Sequence, residues 1–218
     1  MNGIMSENWE LKQEDIYFLF QSKDNNYLCL SYAVRGNYTM HLMRALFVRD
    51  MNMIEGDIRK YQWCPVFADE SRDNFKLFLH FDGILCQDII DRGEGLDAYC
   101  PNWKDQLEQI CLDLRTERIY KTTMSPRYFF IDKNKVLKMF GFFRAYTYGE
   151  QPVSTELIMP TFSKEESQLI QGQGMIDFKI FEELTFKNSK WPDDALMEIY
   201  NKHSTDTEQN SQPADLNK

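Results

Sequence analysis

Trp103, Leu107, Ile110, Cys111 and Leu114 recur at i, i+4, i+7, i+8 and i+11. At 3.6 residues per turn this spacing gathers them on one side of a helix. Asn102 stands where a helix cap belongs. Lys104, Asp105, Glu108, Asp113 and Arg115 fall on the other side and are expected to face water. Beyond a short loop come two β-prone runs, Tyr128–Asp132 (YFFID) and Val136–Phe140 (VLKMF), around the polar turn Lys133-Asn134-Lys135. The stretch from Trp103 to Phe143 therefore predicts a helix, a loop, a strand, a turn and a second strand. Such a stretch mixes helix and strand, as an α+β chain does.

The rest of the chain has the same mixed character. Residues 1–13 are polar and read as a loose lead-in. Ile16–Phe20 and Tyr27–Val34 are β-prone around the turn QSKDNN, which predicts a hairpin. Tyr38 to Lys60 reads as one long helix, with Met40, Met43, Leu46, Phe47, Met51 and Ile54 at three-and-four spacing. Methionines on such a face can form a pliable binding surface, but far more often fill a core. Cys64–Ala68 and Phe75–Phe81 predict two more strands, with the acid-rich turn DESRDN between them. Ile84–Asp91 suits a short helix. Residues 144–161, interrupted by Pro152 and Pro160, read as irregular. Ser163 and Glu166 have the spacing of a capping box. Met175–Phe186 carries Ile176, Ile180, Phe181 and Leu184 on one side, as a helix does. Asp193 is the expected cap of a last helix ending near Lys202. Residues 203–218 are rich in Ser, Thr, Asp, Glu, Gln and Asn. Such a segment buries too little to offset its ordering entropy and reads as a disordered tail.

Composition narrows the function classes. The 218 residues carry a net charge of −9, which disfavours a nucleic-acid surface or an anionic membrane as partner. No run of about 18 apolar residues is present, so no transmembrane helix is expected. The first residues have no apolar stretch of the signal-peptide kind. The five cysteines, Cys29, Cys64, Cys86, Cys100 and Cys111, form no C-x-x-C pair. Their spacing suits reduced thiols in a cytoplasmic protein better than a disulfide framework or a zinc site. His41, His80 and His203 are the only histidines; a catalytic Cys/His pair would meet only in space, so spacing neither marks nor excludes one. Asp69, Glu70 and Asp73, and the pair Asp82 and Asp88, read as solvated turn acids rather than metal ligands.

The order of elements resembles the protein-kinase-like fold. A small antiparallel β lobe with one long helix would occupy residues 14–81. A mainly helical lobe, short for a kinase, would occupy residues 82–202, the break falling at Phe81–Gly83. The chain is also similar in this respect to the divergent kinase-like proteins of large bacteriophages. In kinases the pattern H-R-D-x-K-P-x-N precedes a strand, a turn and the D-F-G triplet. Pro126 and the FFID strand place Lys121 at the histidine, Thr122 at the arginine and Thr123 at the base aspartate. Ser125 takes the lysine position, and Tyr128 replaces the metal-binding asparagine. Gly141-Phe142-Phe143 occupies the triplet, so Gly141 replaces its metal-binding aspartate. Arg35, in Tyr32-Ala33-Val34-Arg35, stands at the nucleotide-binding lysine, and Glu55 is the matching glutamate on the long helix.

These replacements bear on chemistry. Phosphoryl transfer needs a positioned phosphate and Mg²⁺ held on carboxylate and amide oxygens. Thr123 offers no carboxylate to accept a proton, and Gly141 offers no ligand. The resemblance implies a degenerate, pseudokinase-like domain without catalytic residues or cofactor, acting on a protein partner. Two other readings stand beside it. One is an atypical phosphotransferase that uses ATP and Mg²⁺ with ligands such as Asp132 or Glu150. The other is an α+β binding protein of unrelated fold.

Overall fold

The computed structural model describes residues 9–14, 18–24, 27–33, 67–71, 74–117, 119–121, 123–140, 145–147, 162–171 and 177–209. The described chain is α+β, with small antiparallel sheets and helices. By internal packing it divides into two compact units. The first contains residues 1–103 and 127–143, the second residues 104–126 and 144–218. The expected lobe boundary at Phe81–Gly83 falls inside the first unit. The expected long helix at 38–60 lies outside the described residues.

In the first unit five strands form one antiparallel sheet. They are β1 (Trp9–Glu14), β2 (Phe18–Ser22), β3 (Tyr27–Ala33), β4 (Phe67–Ser71) and β5 (Asn74–His80), in the order β1-β2-β3-β5-β4. The predicted hairpin is β2–β3, with Phe18 opposite Ser31 and Gln21 opposite Leu28. Its turn is fastened by Ser22, whose Oγ donates to Asp24 at 2.5 Å and accepts the Tyr27 N–H at 2.9 Å. Leu28 and Cys29 are neighbours on β3 and both fully buried. Adjacent strand residues face opposite sides, so both faces of the sheet are covered there.

Two expectations are corrected here. Trp9–Glu14 is a strand and not a loose lead-in, paired with β2 from Trp9↔Ser22 to Glu14↔Phe18. The alternation of Trp9 and Leu11 with Glu10 and Lys12 is the period-two signal that charge content obscured. The acid-rich turn is also shorter than DESRDN suggested. Asp69, Glu70 and Ser71 are strand residues facing Lys76, Phe75 and Asn74 in register.

The same unit contains a three-stranded sheet, β6 (Gly83–Leu85), β8 (Phe129–Asp132) and β9 (Leu137–Met139), in the order β6-β8-β9. The helix α1 (Cys86–Asp91) follows β6 directly, so the expected helix at Ile84 begins two residues later. Leu85, Cys86, Ile89, Phe129, Phe130 and Ile131 are buried, and the rings of Phe81 and Phe130 lie 5.5 Å apart.

The central helix is α2 (Trp103–Thr116). All five residues of the predicted stripe are 5% exposed or less. From Lys104 onward this helix belongs to the second unit. That unit also holds β7 (Ile119–Lys121), β10 (Ala145–Thr147), α3 (Lys164–Gln171), α4 (Phe178–Asn188) and α5 (Ala195–Gln209). Residues 145–147, expected to be irregular, form a strand because β7 offers them an antiparallel partner. The capping box at α3 forms as predicted. Glu166 N–H donates to Ser163 Oγ at 3.1 Å, and Ser163 N–H donates to Glu166 Oε2 at 2.8 Å. Helix α4 starts at Phe178, where Asp177 caps it by accepting the Lys179 and Ile180 N–H groups; the expected start at Met175 lies outside the described residues. Phe162, Ile170, Phe181 and Leu184 form a core cluster, with Tyr120 and Ile180 packed against it.

The last helix corrects two further expectations. Asp193 is not a conventional cap but a left-handed residue in the 3₁₀ turn Pro192–Asp194. The helix runs to Gln209, past the expected end near Lys202. Residues 210–218 lie outside the described set.

Gly83 tests the packing of the first unit. A Cβ built there would lie 2.0 Å from the Ile131 carbonyl oxygen, a backbone atom with no rotamer to yield. Gly83→Ala is expected to lower unfolding stability by about 3 kcal/mol, read from the midpoint of urea denaturation.

Candidate functional site

The stretch expected to hold the catalytic register, residues 119–143, divides between the two units, and residues 119–121 and 123–140 of it are described. In the second unit, β7 leads into the loop. Its pairing with β10 sets Tyr120 against Phe178 and Phe181, at 4.4 and 6.4 Å between ring centroids. Thr123, at the base position, is half-buried, and its hydroxyl accepts the Ser125 N–H at 3.4 Å. Met124 is 1% exposed yet lies outside helix and sheet. A buried backbone of this kind must find hydrogen-bond partners. It finds them in the connection between α4 and α5. Met124 N–H donates to Ser189 Oγ at 3.1 Å, and the Trp191 indole N–H donates to Met124 O at 2.5 Å. Ser189 in turn donates to Thr185 O at 2.6 Å.

A small cavity lies beside this loop, lined by residues that include Cys111, Lys121, Met124, Phe181, Glu182 and Phe186. It leaves about 20 Å³ for the centre of a water molecule, room for about one water and not for a nucleotide. Lys121, at the histidine position, is buried at 4% exposure. Glu182 binds Arg115 through two hydrogen bonds, at 2.8 and 3.0 Å. Burial first, and then the Glu182 carboxylate, push the Cys111 thiol pKa well up. Cys111 is therefore a protonated core residue and not an activated nucleophile.

In the first unit lie the hairpin positions of the expected register. Tyr128, at the asparagine position, is buried edge-on to Phe140, and Phe140 N–H donates to Tyr128 O at 2.9 Å. Asp132 holds the turn between β8 and β9. Its Oδ1 accepts the N–H groups of Asn134 at 2.9 Å and Val136 at 2.8 Å. Lys135 takes a left-handed φ of 62° within that turn. Cys100 Sγ donates to Lys135 O at 3.1 Å. Among the described residues no group of three or more His, Cys, Asp and Glu is placed to hold a metal. Arg35, Glu55, Gly141 and Glu150 lie outside the described residues.

Sequence reasoning missed the ion pairs of α2. Glu108 and Arg115 are not simply solvated. Arg115 reaches Glu182 on α4, and Glu108 Oε1 receives Lys202 Nζ at 2.7 Å and lies 2.6 Å from His203 Nε2 on α5. Their seven-residue spacing puts both on one flank of the helix, which was the available signal. Lys104, at the start of the helix, pairs with Asp193 at 2.9 Å. Nothing local marks the partners, which lie 67 to 95 residues further along.

No protein-family model matches the chain, and no characterised protein matches it by sequence. Among solved structures, a 2.2 Å crystal structure of WbdD aligns with 91% of this chain and 50% of its own, at 13% identity and a TM-score of 0.47. A medium-resolution structure of the bifunctional kinase-methyltransferase WbdD aligns with 91% of this chain and 45% of its own, at 12% identity and a TM-score of 0.45. The chain spans about half the length of these structures. Among the described residues no helix is long and apolar enough to cross a membrane.

Two outcomes are expected of these residues. Asp132→Ala is expected to lower stability by about 1 kcal/mol through its two turn amides, equally with and without Mg²⁺, in thermal unfolding. Lys202 and His203 hold the Glu108 carboxyl below its ordinary value of 4.5. A depressed folded-state pKa adds stability above the unfolded value, which is lost as pH falls through the folded one. Glu108→Gln should therefore be less stable than the parent at neutral pH. The gap should close as pH falls below 4.5 and not stay constant across a pH series.

Proposed function

We propose that this chain is a kinase-like domain that does not transfer phosphate and acts by contact with a protein partner. The observation that carries this reading is the commitment of residues 123–126 to packing. Where phosphoryl transfer needs a carboxylate to orient the attacking hydroxyl, Thr123 presents a hydroxyl bonded to its own loop. Both main-chain groups of Met124 are engaged by Ser189 and Trp191, and Pro126 is buried. At the metal-binding asparagine, Tyr128 brings a phenol ring packed on Phe140. The alternative phosphotransferase would draw on Asp132, one of whose oxygens already serves two turn amides. The buried thiols Cys29, Cys86, Cys100 and Cys111 suit a reducing compartment, which we take to be the cytoplasm.

Incubation of the purified chain with Mg²⁺ and γ-labelled ATP is the direct test. The expected result is no label on the chain or on a generic protein substrate, and no Mg²⁺-dependent rise in melting temperature with ATP. Transfer that disappears in Asp132→Ala would overturn the proposal in favour of a phosphotransferase.

A further inference from the structure

Within the second unit, the connection between α4 and α5 contains three non-glycine residues in the left-handed region. They are Lys190 at φ 53°, Asp193 at 55° and Asp194 at 51°. A side chain with a Cβ is disfavoured there by contact with the following carbonyl. Such conformations persist only where the surroundings over-determine them. The surroundings here are three ties. Ser189 is fastened to the end of α4 through Thr185 O. Trp191 is 4% exposed and fastened to Met124 O. Asp193 is fastened to Lys104 on α2. Between and beside these ties the backbone takes up the strain.

What the ties hold is the loop of Met124, a wall of the small cavity shared with Cys111, Leu114, Phe181 and Phe186. Cys111 is 1% exposed. The hydrogen bonds and the burial of Trp191 and Met124 close the arrangement, and the left-handed backbone at Lys190, Asp193 and Asp194 opposes it.

We propose that residues 189–194 form a strained latch that holds residues 123–125 closed over the cavity at Cys111, and that its release opens this region without unfolding the rest of the chain. The latch stands on the packing of the second unit and does not depend on the reading of the chain as kinase-like.

Cys111 is a built-in reporter, because its thiol reacts only when the cavity opens. The full chain is exposed to iodoacetamide under native conditions, and modification of each cysteine is followed by peptide mass spectrometry. Cys86, fully buried in the first unit, is the internal reference. Trp191→Phe keeps an aromatic ring and removes the N–H donor. It is expected to speed labelling of Cys111 about tenfold while leaving Cys86 unchanged. Lys190→Gly and Asp194→Gly alter two exposed residues and relieve the left-handed strain. Each is expected to slow labelling of Cys111 about fivefold.

Equal acceleration of Cys86 and Cys111 in Trp191→Phe would show global unfolding and overturn the latch. So would glycine variants that leave Cys111 labelling unchanged or faster. The glycine variants decide the matter by themselves if Trp191→Phe does not fold.

Discussion

The second unit depends on one constraint, the need to satisfy the backbone of a buried residue that belongs to neither helix nor sheet. Met124 is 1% exposed and sits in a loop. Leaving its N–H and C=O without partners would cost more than most single contacts contribute. The chain meets this need with two side chains from one short connection, a serine hydroxyl and an indole N–H. That choice fixes where the connection runs. It then asks Lys190, Asp193 and Asp194 to adopt backbone conformations they disfavour. Lys104 and Asp193 add a tie between α2 and the same segment.

The first unit solves a similar problem locally. In the turn after β8, Asp132 supplies one carboxylate oxygen to two amides. A carboxylate in that position looks, from sequence, like a possible metal ligand. In the folded chain it is part of the turn. Tyr128 likewise stands where the resemblance calls for a polar ligand and serves instead as an aromatic wall against Phe140.

Much of the fold was legible because its signals are short-range. The stripe from Trp103 to Leu114 is a periodicity within one helix, and all of it is buried. Ser163 and Glu166 are three residues apart, so their reciprocal bonds follow from helix geometry. The hairpins β2–β3 and β8–β9 join neighbouring β-prone runs across polar turns. The misses were of two kinds. Trp9–Glu14 and Asp177 had local signals, an alternation and a cap, that other features masked. Ala145–Thr147 and residues 203–209 had none, since one needs β7 beside it and the other is anchored where Glu108 receives Lys202 and His203.

The sequence by itself determined the α+β class, the central helix with its buried face, the flanking hairpins and the absence of a carboxylate at Thr123. These are properties of residue type and of spacing within a few turns. Tertiary structure alone decided that Trp191 and Ser189 close on Met124, that Arg115 meets Glu182 and that Glu108 gathers two groups of α5. Each of these joins residues at least 65 positions apart. No periodicity reaches that far, and one hydroxyl or indole resembles any other until the chain has folded and chosen its neighbour.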